Sequence, residues 1–147
     1  WRVSTINPAG RHAMKHFVLP LRYHDLLAIT KGGFLIGTHG MDEFLRPFAQ
    51  AFRALPAQPF ADLDTHSETV VARVLELNGD TWFYIANTGD TPATVDLAIS
   101  GDGVIDLVTG KALDGFRDNH GTLSLAPYDL RSFKTSGSQS IGVRVPD

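Results

Sequence analysis

Short apolar runs separated by turn residues fill the second half of the chain, and this pattern constrains the fold most. The first two runs, residues 69–77 and 81–87, flank Asn78-Gly79, and an Asn-Gly pair favours a tight β-hairpin turn because both residues accept positive φ angles. The further runs predicted as strands are residues 92–99, 104–108, 121–125, 128–134 and 140–145. Short strands with turns every 8–12 residues are typical of an antiparallel sandwich or barrel. The sequence therefore predicts a mainly β fold, an antiparallel β-sandwich of the immunoglobulin-like or Greek-key kind, with residues 110–120 as a loop carrying one short edge strand.

The first part of the chain shows a different pattern, in which helical and strand-like segments alternate. Apolar residues recur at helical spacing from Phe44 to Leu55, which predicts an amphipathic helix. Pro47 offers an alternative start for this helix. A second helix is predicted for residues 11–19, ending before Pro20, and a short buried strand for residues 32–37.

The change of pattern near residue 60 predicts two pieces. Residues 1–60 are interpreted as the end of an α/β barrel or as a helical cap, and residues 61–147 as the antiparallel sandwich. The charges divide at the same place, because residues 1–60 contain seven Lys/Arg and three Asp/Glu, whereas residues 61–147 contain six and thirteen. Such an asymmetry indicates two pieces with different histories or a basic surface for a partner.

Composition excludes several classes of function. The chain has no cysteine, which excludes a disulfide scaffold, a thiolate zinc site and a cysteine nucleophile. The basic residues are scattered and no recognition motif accompanies them, so no nucleic-acid partner is predicted. No run reaches the roughly 18 apolar residues of a membrane-spanning helix, so no membrane partner is predicted. No signal-like segment opens the chain, and because it begins at Trp1 we expect the natural start to lie upstream.

The candidate ligand-binding residues lie beside the apolar segments of the first part. They are His24 and Asp25, followed by His39, Asp42 and Glu43. Carboxylates at strand ends are where an α/β barrel places its chemistry, and glycosidic bond cleavage needs a pair of them. In the alternative interpretation Asp42 caps the helix, Glu43 is a first-turn charge that suits the helix dipole, and His24 is a loop residue.

Trp82 is a further candidate, as an aromatic platform for the apolar face of a sugar ring. In a strand, Trp82 and Tyr84 point to one side and Phe83 to the other, so at least one side of this run belongs to a core. His12 and His16 have the spacing of metal ligands on one helix face, but no third ligand accompanies them. The acidic loop residues are interpreted as a solvated rim, since they lack the spacing of a calcium loop: Asp90, Asp102, Asp106, Asp114 and Asp118. Neither a metal nor a cofactor is predicted.

A resemblance to a known family covers roughly residues 44–134. The motifs that carry it are, in order, the helical run 45–57, the strand 70–77, Trp82 to Asn87, Asp106 to Gly110, and the closest stretch, Leu125-Ala-Pro-Tyr-Asp-Leu-Arg-Ser-Phe133. Together they resemble the last barrel helix and the C-terminal β-sandwich of bacterial glycoside hydrolases.

The resemblance implies a retaining-type sugar hydrolase whose (β/α)₈ barrel lies upstream, on the same polypeptide or on a companion chain. It implies carbohydrate as the ligand and a sandwich that packs on the barrel. The acid and the nucleophile of such enzymes lie on earlier barrel strands, so the catalytic residues of this chain are unknown and the chain alone is expected to be inactive. Asp25, His39, Asp42 and Glu43 would at best line the rim of the site. A periplasmic or secreted location is favoured over a cytoplasmic one.

Two alternatives remain open from the sequence. The chain would be a free-standing carbohydrate-binding module if it exposed a coplanar pair of aromatic rings, and a buried Trp82 would count against this. It would be a small complete hydrolase if His24, His39 and Glu43 formed a site that turns over glycosides without another chain.

Overall fold

The computed structural model describes residues 10–25, 42–101 and 103–146, and two helical pieces precede the strands in this part of the chain. The first piece consists of a 3₁₀ helix (Gly10–Met14), one α-helical turn (α1, Lys15–Val18) and a second 3₁₀ helix (Leu19–Arg22). The second piece is the α-helix α2 (Asp42–Arg53). The strands are β1 (Ala61–Leu63), β2 (Val70–Leu77), β3 (Asp80–Asn87), β4 (Ala93–Ile99), β5 (Ile105–Asp106), β6 (Lys111–Ala112), β7 (His120–Leu125), β8 (Asp129–Ser136) and β9 (Ile141–Arg144).

The strands form two antiparallel sheets, which confirms the predicted mainly β sandwich. One sheet has the order β1-β2-β3-β8-β5-β6 and the other the order β7-β4-β9. The hairpin between β2 and β3 turns at Asn78 and Gly79, whose φ angles are 56° and 81°, as the Asn-Gly pair predicts. The short edge strand expected in the 110–120 loop is β6.

The facing sides of the two sheets enclose the inter-sheet core. Its centre is a stacked pair of rings, Phe83 from β3 and Phe133 from β8, whose centroids lie 5.0 Å apart. The rest of this core consists of aliphatic side chains that alternate along the strands: Val70, Ala72, Ile85, Val95, Leu97, Ile99, Val104, Leu123, Leu125, Ile141 and Val143. The three-stranded sheet is thus buried on one face only, as the alternation of its residues requires.

The helical pieces cover the other face of the six-stranded sheet and create the helix–sheet core. Its buried members are Ala13, Met14, Val18, Leu21, Phe48, Ala51, Leu55, Phe60, Tyr84, Ala86, Tyr128 and Leu130. The molecule therefore has three layers, in which helices, the six-stranded sheet and the three-stranded sheet follow one another. No helix in the described ranges has the length and apolar character needed to cross a bilayer.

The helices differ from the sequence-based expectation at both prolines. Helical structure continues past Pro20 to Arg22, because Pro20 occupies one of the first positions of a new 3₁₀ helix, where its missing N–H costs little. Pro47 lies inside α2 rather than at its start, and Phe44 in the turn before it packs against the helix–sheet core. The strand predicted for residues 32–37 and the candidate His39 lie outside the described residues.

Candidate functional site

Arg73 is the polar centre of the contact between helices and sheet. It lies on β2, facing the helical layer, and only 6% of the residue is exposed. Its Nη1 donates to the backbone carbonyl oxygens of Leu21 and His24 and to the Tyr84 hydroxyl, each at 2.8 Å. Its Nε donates to the carboxylate of Asp62. One side chain therefore ties the end of the first helical piece to three strands of the sheet, and we call this group the Arg73 cluster.

The electrostatics of this cluster suit an anchor rather than a proton-transfer site. Burial opposes the guanidinium charge, but the hydrogen bonds and charges of Tyr84 and Asp62 outweigh it and raise the pKa of Arg73. Burial also raises the pKa of the Tyr84 phenol, against the influence of Arg73, and the nearby carboxylates of Asp25 and Asp62 raise it further. At neutral pH the cluster therefore contains a permanent cation and a neutral phenol.

His24 and Asp25, two of the predicted ligand-binding residues, lie at this cluster. The His24 side chain is exposed, whereas its backbone carbonyl accepts the hydrogen bond from Arg73. Asp25 is half-buried and close enough to Tyr84 for its charge to act on the phenol. The structure thus brings these two residues together beside a fixed cation.

Asp42 and Glu43 occupy a different place, the first turn of α2, where both are exposed. The next residue, Phe44, lies under the guanidinium of Arg11, with 5.2 Å between the guanidinium carbon and the ring centroid. Arg11 begins the first helical piece, whereas His24 follows its end. The two pairs of candidates therefore lie at opposite ends of that piece, and two acidic residues in a first turn also match the dipole of α2.

Trp82 is half-buried and shares a face of β3 with Tyr84, while Phe83 enters the inter-sheet core. The ammonium group of Lys134 lies 4.8 Å from the centroid of the Trp82 ring. Lys134 is itself held by Asp80, with 2.7 Å between Nζ and the carboxylate oxygen. A sugar stacking on this face of Trp82 would have to displace the lysine, and the ring also packs against the helix–sheet core.

No cluster of three or more potential metal ligands is present in the described part of the chain. The pair His12 and His16 and the acidic turns described there therefore do not form such a site. The ring of His12 instead packs edge-on against Tyr128, at 5.8 Å between centroids. Sequence reasoning interpreted Asp106 as a solvated acidic turn, but its carboxylate is buried and paired with Arg131 at 2.6 Å.

Asp106 organises a turn rather than binding a ligand. Its Oδ1 accepts the backbone N–H groups of Val108 and Thr109 at 2.9 and 3.0 Å. Burial opposes the negative charge, but these bonds and the Arg131 guanidinium outweigh it and lower the pKa of Asp106. The turn begins directly after Asp106, so the strand predicted for residues 104–108 is limited to two residues.

Two structural residues were missed by sequence reasoning. Arg73 lies between the apolar Val71 and Leu75 on the face of β2 that the helices cover, and a cation at such a position is a signal for a buried partner. Asn87, fully buried at the end of β3, donates to the carbonyls of Thr91 and Ala126 at 2.7 and 3.0 Å and accepts from the N–H of Gly89. An asparagine that ends an apolar strand is the only sequence signal for this anchor.

Comparison with known proteins shows that this chain shares its fold with part of longer chains of known structure. No protein-family model and no curated protein sequence matches the chain. Among solved structures, AmyP in complex with maltose has a TM-score of 0.52 and 21% identity, covering 68% of this chain and 21% of AmyP. A substituted AmyP in complex with maltotriose has a TM-score of 0.52 and 20% identity, covering 73% of this chain and 24% of its own. α-Galactosidase I from Mortierella vinacea has a TM-score of 0.44 and 19% identity, and the match covers 69% of this chain and 30% of the α-galactosidase.

The two AmyP structures share the fold of this chain, which corresponds to a small part of each. It spans between a fifth and a quarter of the length of the AmyP chains that it matches. The likeness therefore concerns the fold of one region of a longer chain.

Proposed function

We propose that this chain is the C-terminal portion of a glycoside hydrolase, in which the β-sandwich supports a catalytic (β/α)₈ barrel. The observation that carries the proposal is the match of 68% to 73% of this chain to 21% to 24% of AmyP. A chain of 147 residues is too short to contain a (β/α)₈ barrel of about 250 residues, so we assign it a supporting role. The order of motifs from residue 44 to residue 134, similar to that at the end of bacterial glycoside hydrolases, supports the same assignment.

The packing within the chain is consistent with this supporting role. The Arg73 cluster ties the first helical piece to the sheet through two backbone carbonyls and a phenol. Such an anchor would fix the position of the barrel relative to the sheet through the first helical piece, without taking part in catalysis. The general acid and the nucleophile belong to the barrel, and no residue of this chain is assigned either role.

The remaining candidates are assigned to the edge of the sugar site. His24 and Asp25 are exposed or half-buried beside the Arg73 cluster, where a carboxylate and an imidazole suit hydrogen bonds to sugar hydroxyls. His39, Asp42 and Glu43 are kept as further edge residues, and Trp82 as a contact that requires Lys134 to move. Carbohydrate is the proposed ligand, and AmyP was crystallised with maltose and with maltotriose.

The test compares the 147-residue chain with the polypeptide made from the whole reading frame. Both are assayed on a panel of aryl glycosides and on maltooligosaccharides, and the mass of the native polypeptide is measured. We expect no turnover by the chain alone and hydrolysis by the longer polypeptide, or by the chain together with a copurifying companion. Turnover by the isolated chain would support the small complete hydrolase instead.

The binding-module alternative is tested by titrating the isolated chain with maltotriose. Two results together would contradict the supporting role. The chain would bind maltotriose and lose this binding in Trp82→Ala, and no hydrolase domain would be encoded next to the chain. The half-buried ring and the ammonium of Lys134 at 4.8 Å count against this outcome.

A further inference from the structure

Tyr23 is the most exposed large hydrophobic side chain among the described residues, and it directly follows the second 3₁₀ helix. Its exposed fraction is 68%, whereas Ile105 and Val108 reach 38% and 36%. The other two tyrosines of the chain, Tyr84 and Tyr128, are buried. Single exposed apolar side chains are common on protein surfaces, so exposure alone assigns no role to Tyr23. The backbone and the charges around the ring are more informative.

The backbone on both sides of Tyr23 is held by hydrogen bonds. The buried guanidinium of Arg73 donates to the carbonyl oxygens of Leu21 and His24, each at 2.8 Å. The N–H groups of Tyr23 and His24 both donate to the carbonyl oxygen of Pro20, at 3.1 and 3.0 Å. An aromatic ring on a backbone fixed in this way loses little conformational freedom when it meets a ligand. Tyr23 is therefore preorganised for a contact with a molecule outside the chain.

A cation lies over the Tyr23 ring, and an anion lies near that cation. The guanidinium carbon of Arg22 is 5.7 Å from the centroid of the ring. A terminal nitrogen of Arg22 is 4.0 Å from a carboxylate oxygen of Glu68, which lies in the loop between β1 and β2 and is exposed. This separation is longer than a hydrogen bond, so the guanidinium retains donors and the carboxylate retains acceptors for a ligand.

The ring and the two charges together indicate which class of ligand fits. A pyranose sugar has C–H groups on its faces, which pack against an aromatic ring, and hydroxyl groups around its edge. Those hydroxyl groups accept hydrogen bonds from a guanidinium such as Arg22 and donate them to a carboxylate such as Glu68. An anionic ligand would be repelled by Glu68, and a cationic ligand by Arg22. A neutral saccharide suits all three side chains.

We propose that Tyr23 is a stacking platform for a neutral pyranose ring, with Arg22 and Glu68 as hydrogen-bonding partners of the sugar hydroxyls. We call these three residues the Tyr23 platform. The inference rests on the proposed function for the class of ligand, and it adds a binding contact that the sequence candidates did not include. The exposed side chain of His24 lies next to the platform in the same segment. Arg73 acts here as a positioning residue, because it fixes the carbonyls on both sides of Tyr23.

Nitration by tetranitromethane gives a site-specific test, because this reagent modifies the ring carbons beside the phenol oxygen of accessible tyrosines. The 147-residue chain and the polypeptide made from the whole reading frame are each nitrated alone, with maltotriose, with cellotriose and with sodium sulfate. Peptide mass spectrometry measures the nitration rate at Tyr23, and unmodified samples are assayed for glycosidase activity. Tyr84 and Tyr128, which are buried, should stay unmodified and thereby report that the chain is folded.

We expect a saccharide to slow nitration of Tyr23 severalfold in both polypeptides, and sulfate to have no effect. Unchanged nitration with both saccharides in an active hydrolase would overturn the Tyr23 platform and leave the proposed function intact. Protection by sulfate would indicate an anion site and would overturn the inference as well. A Tyr23 that resists nitration in the longer polypeptide without any saccharide would be covered by protein, which also overturns it. Inactivity of the longer polypeptide would overturn the proposed function, whereas saccharide protection of Tyr23 would still support the platform.

Calorimetric titration of the chain with maltotriose and cellotriose compares three variants with wild type. Tyr23→Ala removes the ring and should weaken binding about fivefold to tenfold. Tyr23→Phe should retain the affinity within about twofold, because stacking uses the face of the ring rather than the hydroxyl. Val108→Ala shortens another exposed hydrophobic side chain and should leave binding unchanged. Equal affinities of wild type and Tyr23→Ala would overturn the platform.

Discussion

The two cores of this chain are buried to a similar degree but differ in the contacts that hold them together. The inter-sheet core has Phe83, Ile85 and Phe133 at 0% exposure and is surrounded mainly by aliphatic side chains. The helix–sheet core contains a charged cluster around Arg73 and is bordered by half-buried aromatic side chains such as Phe17 and Phe52. The difference teaches that the two sheets are held together mainly by apolar packing, whereas the helical side is held to the sheet by specific polar contacts as well.

The largest effect is expected from creating a cavity in the inter-sheet core. Phe83→Ala removes half of the stacked pair and leaves a cavity, and we expect a loss of about 3–5 kcal/mol in the free energy of unfolding. Phe52→Ala, on the half-buried flank of α2, is expected to cost about 1–2 kcal/mol, because less apolar area leaves the core. Urea titrations followed by circular dichroism measure both. Equal losses would show that Phe52 contributes as much packing energy as Phe83 and would contradict the difference expected from their burial.

Breaking the Arg73 cluster should cost somewhat less and act locally. Arg73→Met leaves the Tyr84 hydroxyl and two carbonyls without their donor, and we expect a loss of about 2–4 kcal/mol. The contribution of Asp62 is discounted because its side chain is 79% exposed. Hydrogen exchange should accelerate over residues 15–22 and stay slow in β3. Arg53→Met, an exposed control on α2, should change stability by less than about 0.5 kcal/mol.

The Asp106–Arg131 pair predicts an acid sensitivity that belongs to the sandwich. The pKa of Asp106 is lowered in the folded chain, because the Arg131 and backbone hydrogen bonds outweigh burial. Its stabilising contribution is therefore complete above the ordinary value of 3.8 and is lost as the pH falls through the lower folded pKa. Asp106→Asn should cost about 1–2 kcal/mol at pH 7 and progressively less below that value.

Unfolding curves recorded from pH 7 to pH 2 measure the difference in the free energy of unfolding between wild type and Asp106→Asn. Asp114→Asn, an exposed acidic position in the loop, serves as the control and should leave the acid profile unchanged. A constant difference between wild type and Asp106→Asn across the range would contradict an ionic role for the carboxylate.

The smallest effect is expected at Tyr84. Tyr84→Phe keeps the buried ring and removes one hydrogen bond to Arg73, so we expect a loss of about 1 kcal/mol at pH 8. The pKa of Tyr84 is raised, mainly by burial. The stability that depends on the neutral phenol is thus complete below the ordinary value of 10.0 and is lost as the pH rises through the higher folded pKa.

Thermal unfolding measured from pH 8 to pH 11 tests whether the stability falls as the pH rises. The wild-type chain should lose stability with rising pH more steeply than Tyr84→Phe. A steeper loss in the variant would mean that the phenol ionises more readily in the folded state.

Local patterns predicted the sandwich well because strands and hairpins follow from nearby residues. Asn78-Gly79 requires positive φ angles, and the alternation from Trp82 to Tyr84 assigns the two faces of β3. The candidate site was less accessible to such reasoning. Arg73 acquires its role from Leu21 and His24, which lie far away in sequence, and no local pattern encodes that contact.

Polar side chains also altered local structure in ways that periodicity does not report. The carboxylate of Asp106 captures two backbone N–H groups and ends β5 after two residues. Pro20 starts a new 3₁₀ helix where a helix end was expected. The candidates His24 and Asp25 lie together while Asp42 and Glu43 do not join them, since their separation is determined by the length of the first helical piece.

The Arg73 cluster also has a consequence for the order of events during synthesis. Arg73 follows its acceptor at Leu21 by 52 positions, so the helical residues leave the ribosome well before the strand that holds them. A short helical piece is unstable in water until it packs, and Met14, Val18 and Leu21 remain uncovered until β2 and β3 have paired. The helical residues are therefore made before the strands that cover them, and we expect them to fold only after β2 and β3 have paired.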